Sequence, residues 1–180
     1  MSGRVAAKTL RLPAREVDIS LESALRYMGL GSARPEAGVA LAREAIAAFG
    51  EAARYAACYV SVPVSIDADE VGLGLLRVAS ASLARHLEGC DTVVLFAATT
   101  GMESERQRKR AAVASPTLAL ALDAVGTAAI ERFCDMLCGV FAKDYPGRAL
   151  RPRFSPGYGD LPLAAQKPLL ELLDAGDKAG

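Results

Sequence analysis

A chain of 180 residues with 52% apolar side chains can build one ordinary core, and 21 cationic against 21 anionic residues leave no net field for nucleic acid or an anionic membrane. Four cysteines with no CxxC pair and no secreted spacing pattern argue against a disulfide framework or a cysteine zinc site and fit a reducing compartment. Met1–Lys8 lacks the apolar stretch of a signal peptide and no uncharged apolar run reaches membrane-span length, so the expectation is a cytoplasmic protein of one domain over residues 1–180, with 1–8 and 175–180 as loose ends.

Thr9–Leu12 reads as an edge strand that Pro13 stops. A helix begins near Ser20, with Leu21, Ala24, Leu25 and Met28 at helical spacing, and ends at Gly29 and Gly31. An alanine-rich helix follows from Pro35 to about Ala57, with Val39, Ala42, Ile46, Phe49 and Ala53 on one face. Tyr59–Ile66 alternates as a strand does, and Val71–Val78 reads as a further strand despite Gly72 and Gly74. A helix through Leu83 and Leu87 leads to the break at Glu88–Asp91.

Thr92–Ala98 is apolar on both faces, which predicts a strand in the middle of a covered sheet. Thr99, Thr100 and Gly101 end it before a charged helix in which Glu105 and Lys109 are spaced for an ion pair. Pro116 opens the longest helix, to about Lys143, whose stripe of Leu118, Leu122, Val125, Ala129, Phe133, Met136, Leu137 and Val140 predicts a central place in the core. Tyr145-Pro146-Gly147 is a turn, Ala149–Phe154 a final strand, Pro162 the start of a closing helix, and Asp174–Gly180 a frayed end.

The chemistry concentrates in Arg153–Pro162, where a cation, a hydroxyl, a phenol and two glycines share one proline-constrained turn. Arg153 can grip a carboxylate with two parallel hydrogen bonds, and Tyr158 can stack or donate one. An ordinary Pro-Gly turn with no ligand is the alternative. On the long helix Asp123, Thr127, Glu131 and Asp135 recur every four residues as a polar seam, fit either for a cationic ligand group or for the helix's wet edge.

Arg153-x-x-x-Gly157-Tyr158 resembles the RxxxGY signature of the S-adenosylmethionine-binding reactivation domain of cobalamin-dependent methionine synthase. The longer run from Arg153 to Gln166 resembles the short, free-standing bacterial homologues of that domain, as do Arg26–Gly29, Leu95–Gly101 and Leu122–Gly126 with Ile130-Glu131. The resemblance implies an α/β fold with a curved, largely antiparallel sheet and long flanking helices. It implies that Arg153 engages the methionine carboxylate or its neighbours, that the backbone of Ser155, Pro156 and Gly157 meets the adenosine, that Tyr158 lines the ligand and that Glu131 is the ligand-side acid. The function it implies is an accessory module that binds S-adenosylmethionine while a separate cobalamin-bearing methyltransferase is reductively remethylated, with a flavodoxin-type protein as reductant. A sensor that binds the same ligand without catalysis, or an interaction module, is the alternative.

His86-x-x-Gly89 is half of the cobalamin-ligand pattern DxHxxG, with Ala84 where the aspartate belongs, so corrinoid is expected only through a partner. Cys134 and Cys138, one helical turn apart, read as apolar-like side chains rather than metal ligands. Thr99-Thr100-Gly101 is either a helix cap or an anion site, and Arg106–Arg110 either a solvated face or a docking face.

Overall fold

The computed structural model describes residues 6–179, so the expected loose start at residues 1–5 and the final Gly180 lie outside it. The chain runs β1 (Lys8–Leu12), α1 (Leu21–Tyr27), α2 (Glu36–Ala52), β2 (Tyr55–Asp67), β3 (Glu70–Leu73), β4 (Leu76–Ala79), α3 (Ala81–His86), β5 (Thr92–Thr99), α4 (Met102–Ala114), α5 (Pro116–Asp144), α6 (Gln166–Leu173) and α7 (Ala175–Lys178). It falls into two compact units, one of residues 6–9, Ala57–Ala97 and Tyr145–Ala179, the other of Leu10–Ala56 and Ala98–Asp144.

The first unit carries most of a five-stranded sheet in the order β1-β2-β3-β4, with β5 also paired to β2. β3 is antiparallel to β2, Val64 opposite Leu73, and to β4, Val71 opposite Val78. Hydrogen bonds from Arg54 N–H to Thr100 O and from Val64 N–H to Asp91 O at opposite ends of β2 make the β2–β5 pairing antiparallel too. Val71–Val78, expected as one strand, is a hairpin: Gly74 at φ 62° and Leu75 form a two-residue loop whose twist suits the flanking strands. β5 is a correction as well. It pairs with β2 alone among the described residues, only Leu95 is buried, and the rest is half-exposed, so it is a terminal strand rather than a central one.

The second unit is helical. α5 has Pro116 in its first turn and packs against α1, α2 and α4; of its expected stripe Leu122, Val125, Ala129, Phe133 and Leu137 are buried, together with Phe141, while Leu118, Met136 and Val140 are only half-buried. Phe133 is 0% exposed and meets Tyr55 with ring centroids 5.2 Å apart, and burying a ring of that size contributes about 1.5–3 kcal/mol. The Ser20 hydroxyl caps α1 by accepting from the Ser23 N–H at 3.1 Å, as its place before the apolar run predicts.

Two further expectations fail. Ala149–Phe154 is not a strand; it has no ladder, and Pro152 has no N–H to offer one. Beyond Asp174, which adopts a left-handed backbone, the chain forms α7 with Ala175 and Ala179 buried, where the sequence predicts a frayed end.

A candidate ligand-binding turn

The segment after α5 is irregular yet closely held, because side chains replace the missing ladder. Arg148 pairs with Asp91, Arg151 donates to Glu88 O at 2.8 Å, His86 Nε2 donates to Pro152 O at 2.9 Å, and the Asp160 carboxylate reaches Ser80–Ser82. Partner numbers fall from 91 to 80 as the segment rises from 148 to 160, so it runs antiparallel along α3 and the loop that follows. All of these groups belong to the first unit.

Within this frame Ser155–Tyr158 is a tight turn. Pro156 and Gly157 occupy its central positions, Gly157 takes φ 95°, and the Tyr158 N–H donates to Ser155 O at 3.0 Å, the geometry of a type II turn in which glycine is required at the third position. The Gly157 N–H donates to Leu161 O at 2.9 Å and the Leu161 N–H to Tyr158 O at 3.0 Å, which closes the loop on itself. The Gly157 and Tyr158 N–H groups are thereby committed within the turn itself. Phe154 packs between His86, at 5.1 Å, and Tyr158, at 6.1 Å and edge-on. Tyr158 itself is 58% exposed, so most of its ring faces outward from a fixed turn.

Asp160 holds the exit of the turn. One carboxylate oxygen accepts from Ser80 Oγ at 2.5 Å and from the Ser82 N–H at 3.1 Å, and the other accepts from the Ala81 N–H at 2.9 Å. These are the orphan amides of the first turn of α3, and Ser80 Oγ adds the Leu83 N–H at 3.1 Å. The Ser80 hydroxyl first, then the Ser82 amide, pull the carboxyl down to about 2. Gly159 lies so close that a Cβ there would come within 2.6 Å of Ser82 Oγ, and its φ is +55°.

The turn therefore brings Arg153, Ser155, Pro156, Gly157 and Tyr158 together, with Arg153 half-buried and Ser155 and Gly157 exposed. Glu131 lies in the second unit, exposed on α5 with Asp123, Thr127 and Asp135, and the seam is the exposed edge of its helix. Sequence reasoning missed Asp160, Ser80 and His86 as parts of the turn's frame. A serine just before a short apolar helix was a visible cap signal for Ser80, but no local signal ties residue 160 to residue 80.

The remaining features take plain roles. Thr99 Oγ1 accepts from the Gly101 N–H at 3.0 Å and the buried Ser104 hydroxyl donates to Gly101 O at 2.7 Å, so this junction caps itself. Arg106 and Arg110 pair with Glu103, and Arg108 and Lys109 with Glu105, the last as its four-residue spacing predicts, which makes the basic run a charge-balanced face. The four cysteines form no disulfide, and no cluster of potential metal ligands occurs among the described residues. No helix among them is long and apolar enough to cross a membrane. A cavity of about 640 Å3 near Leu163, Leu170 and Asp174 and one of about 360 Å3 near Phe49, Gly101 and Asp123 are lined by neither Arg153 nor Tyr158.

Fold and site together define a mixed α/β module, an antiparallel sheet and long helices, that presents an arginine and a tyrosine on a clamped turn. No family model matches the chain, and no curated protein does. Among solved structures it is similar to the MetH reactivation domain bound to AdoHcy, with a TM-score of 0.66 and 14% sequence identity over 96% of this chain and 71% of that one. At that identity the likeness shows the fold, and the expected α/β class with its largely antiparallel sheet is borne out.

Proposed function

We propose that this chain binds S-adenosylmethionine, or its demethylated product S-adenosylhomocysteine, and serves the reductive remethylation of cobalamin on a separate methionine synthase or other corrinoid methyltransferase. One observation carries the reading: Arg153-x-x-x-Gly157-Tyr158 is held as a single fixed turn, on a fold shared with a domain solved in complex with AdoHcy. The guanidinium of Arg153 matches the fork of an amino-acid carboxylate, the exposed Tyr158 offers a ring face and a hydroxyl, and the adenosine would meet those backbone groups of Ser155–Gly157 that the turn's own hydrogen bonds do not use. Glu131 enters as a ligand-side acid by resemblance alone, and its substitution is a separate test.

The sulfonium of the ligand is already an activated methyl donor, so the work of this chain is to bind and orient it and to exclude water. No general base is asked of any residue. Cobalamin does not fit this chain's His86, because Ala84 stands where an orienting aspartate belongs and the Nε2–H is committed to Pro152 O. Corrinoid and a flavodoxin-type reductant therefore come from partners, and the purified protein is expected to be colourless.

Calorimetric titration with S-adenosylmethionine and S-adenosylhomocysteine tests the ligand, and a reactivation assay with a corrinoid methyltransferase tests the role. Saturable binding with reactivation supports the proposal, and binding without it favours a sensor. No binding returns the turn to a purely structural part.

A further inference from the structure

The antiparallel strapping of the turn along α3 has a consequence for the ligand site. The turn's outer residues, Ser155 and Gly157–Asp160, are all exposed, so apolar burial does not explain why the loop adopts one conformation. Directional bonds at its two ends do. The entrance is fixed where His86, the last residue of α3, holds Pro152 O and stacks on Phe154. The exit is fixed where Asp160 spans Ser80, Ala81 and Ser82 at the opposite end of the same helix, with Gly159 pressed on Ser82. A short helix is thus a template whose two ends set the span of the turn, and Arg153 and Tyr158 lie between the two fixings.

We propose that Asp160 is a positioning residue for the S-adenosyl ligand: by joining the exit of the turn to Ser80–Ser82 it holds Arg153 and Tyr158 in the arrangement that receives the ligand. The inference rests on the ligand reading above and adds to it the element that presets the site. A turn ordered before binding does not have to be ordered by the ligand, and the saving appears as affinity. In this scheme Asp160 acts on the ligand through the backbone of the turn.

The test is titration of S-adenosylhomocysteine into wild type, Asp160→Ala, Asp160→Asn, Arg153→Ala and the Asp160→Ala/Arg153→Ala double variant, with melting curves and amide exchange at Gly157, Tyr158 and Leu161. Asp160→Ala is expected to stay folded, to exchange those amides faster and to bind about tenfold to a hundredfold more weakly. Asp160→Asn, which keeps one acceptor oxygen for Ser80 and Ser82, is expected to recover part of that loss. In the Arg153→Ala background the Asp160→Ala effect is expected to shrink, because the two act through one contact. Wild-type affinity in a folded Asp160→Ala, or full additivity with Arg153→Ala, overturns the positioning role while leaving the ligand reading intact. If the wild type itself binds no S-adenosyl ligand, both readings fall, and faster exchange in Asp160→Ala then marks the clamp as structural only.

Discussion

α5 and the turn at Arg153–Asp160 are built on opposite physical plans. α5 is held by non-directional burial: a 29-residue helix with a broad apolar stripe, where shape and area decide the energy and the polar seam through Glu131 is left outside. The turn has little burial and is held by a few bonds of fixed direction, each to a named partner in Ser80–Asp91. The difference predicts that stability and the proposed ligand recognition can be damaged separately.

The largest effect is expected from Phe133→Ala, which empties a fully buried site beside Tyr55 and should cost about 3–5 kcal/mol in denaturant unfolding. Ligand affinity of the molecules that remain folded should fall far less than stability, since Asp160 and Arg151 fasten the turn's segment to Ser80 and Glu88. A matching loss of affinity would break the comparison. Arg153→Ala should do the reverse, leaving the protein folded in its melting curve and weakening S-adenosylmethionine binding by roughly 2–4 kcal/mol, or about thirtyfold to a thousandfold, by titration. Equal affinity in a folded variant would sink the carboxylate grip.

Smaller is Tyr158→Phe, which keeps the exposed ring and loses the hydroxyl, about 0.5–1.5 kcal/mol of affinity if that hydroxyl donates to the ligand. The smallest effect concerns pH. Asp160 is held at about 2, below its ordinary unfolded value near 3.9, so its clamp is fully present above the unfolded pKa and is lost only as pH falls through about 2. NMR titration of its carboxyl carbon should therefore find a midpoint near 2. A midpoint at the ordinary carboxylate value would mean that the clamp is open in solution.

Regular periodicity was legible wherever one face of an element decides its energy. The stripe of α5, the Ser20 cap of α1 and the i,i+4 pair on α4 each follow from spacing on a single element. Apolar content without position was a poorer guide. Thr92–Ala98 reads as central because both faces are apolar, but the number of neighbours a strand acquires depends on chain segments far away, and β5 ends with β2 alone among the described residues. Ala149–Phe154 looked like a strand because nothing local says that its carbonyls will be taken by His86 and its arginines by Asp91 and Glu88 O.

By itself, then, the sequence determined the long helix and the cluster Arg153, Ser155, Pro156, Gly157 and Tyr158, because side-chain chemistry and turn geometry are properties of neighbouring residues, while the α/β class was implied by the family resemblance of the run from Arg153 to Gln166 and its companion segments. The tertiary structure alone decided that this cluster is strapped along α3, that Asp160 caps Ser80–Ser82, and that His86 serves the turn through Pro152. Contacts between residues some 66 to 80 positions apart depend on how the whole chain closes, and no local pattern encodes that closure.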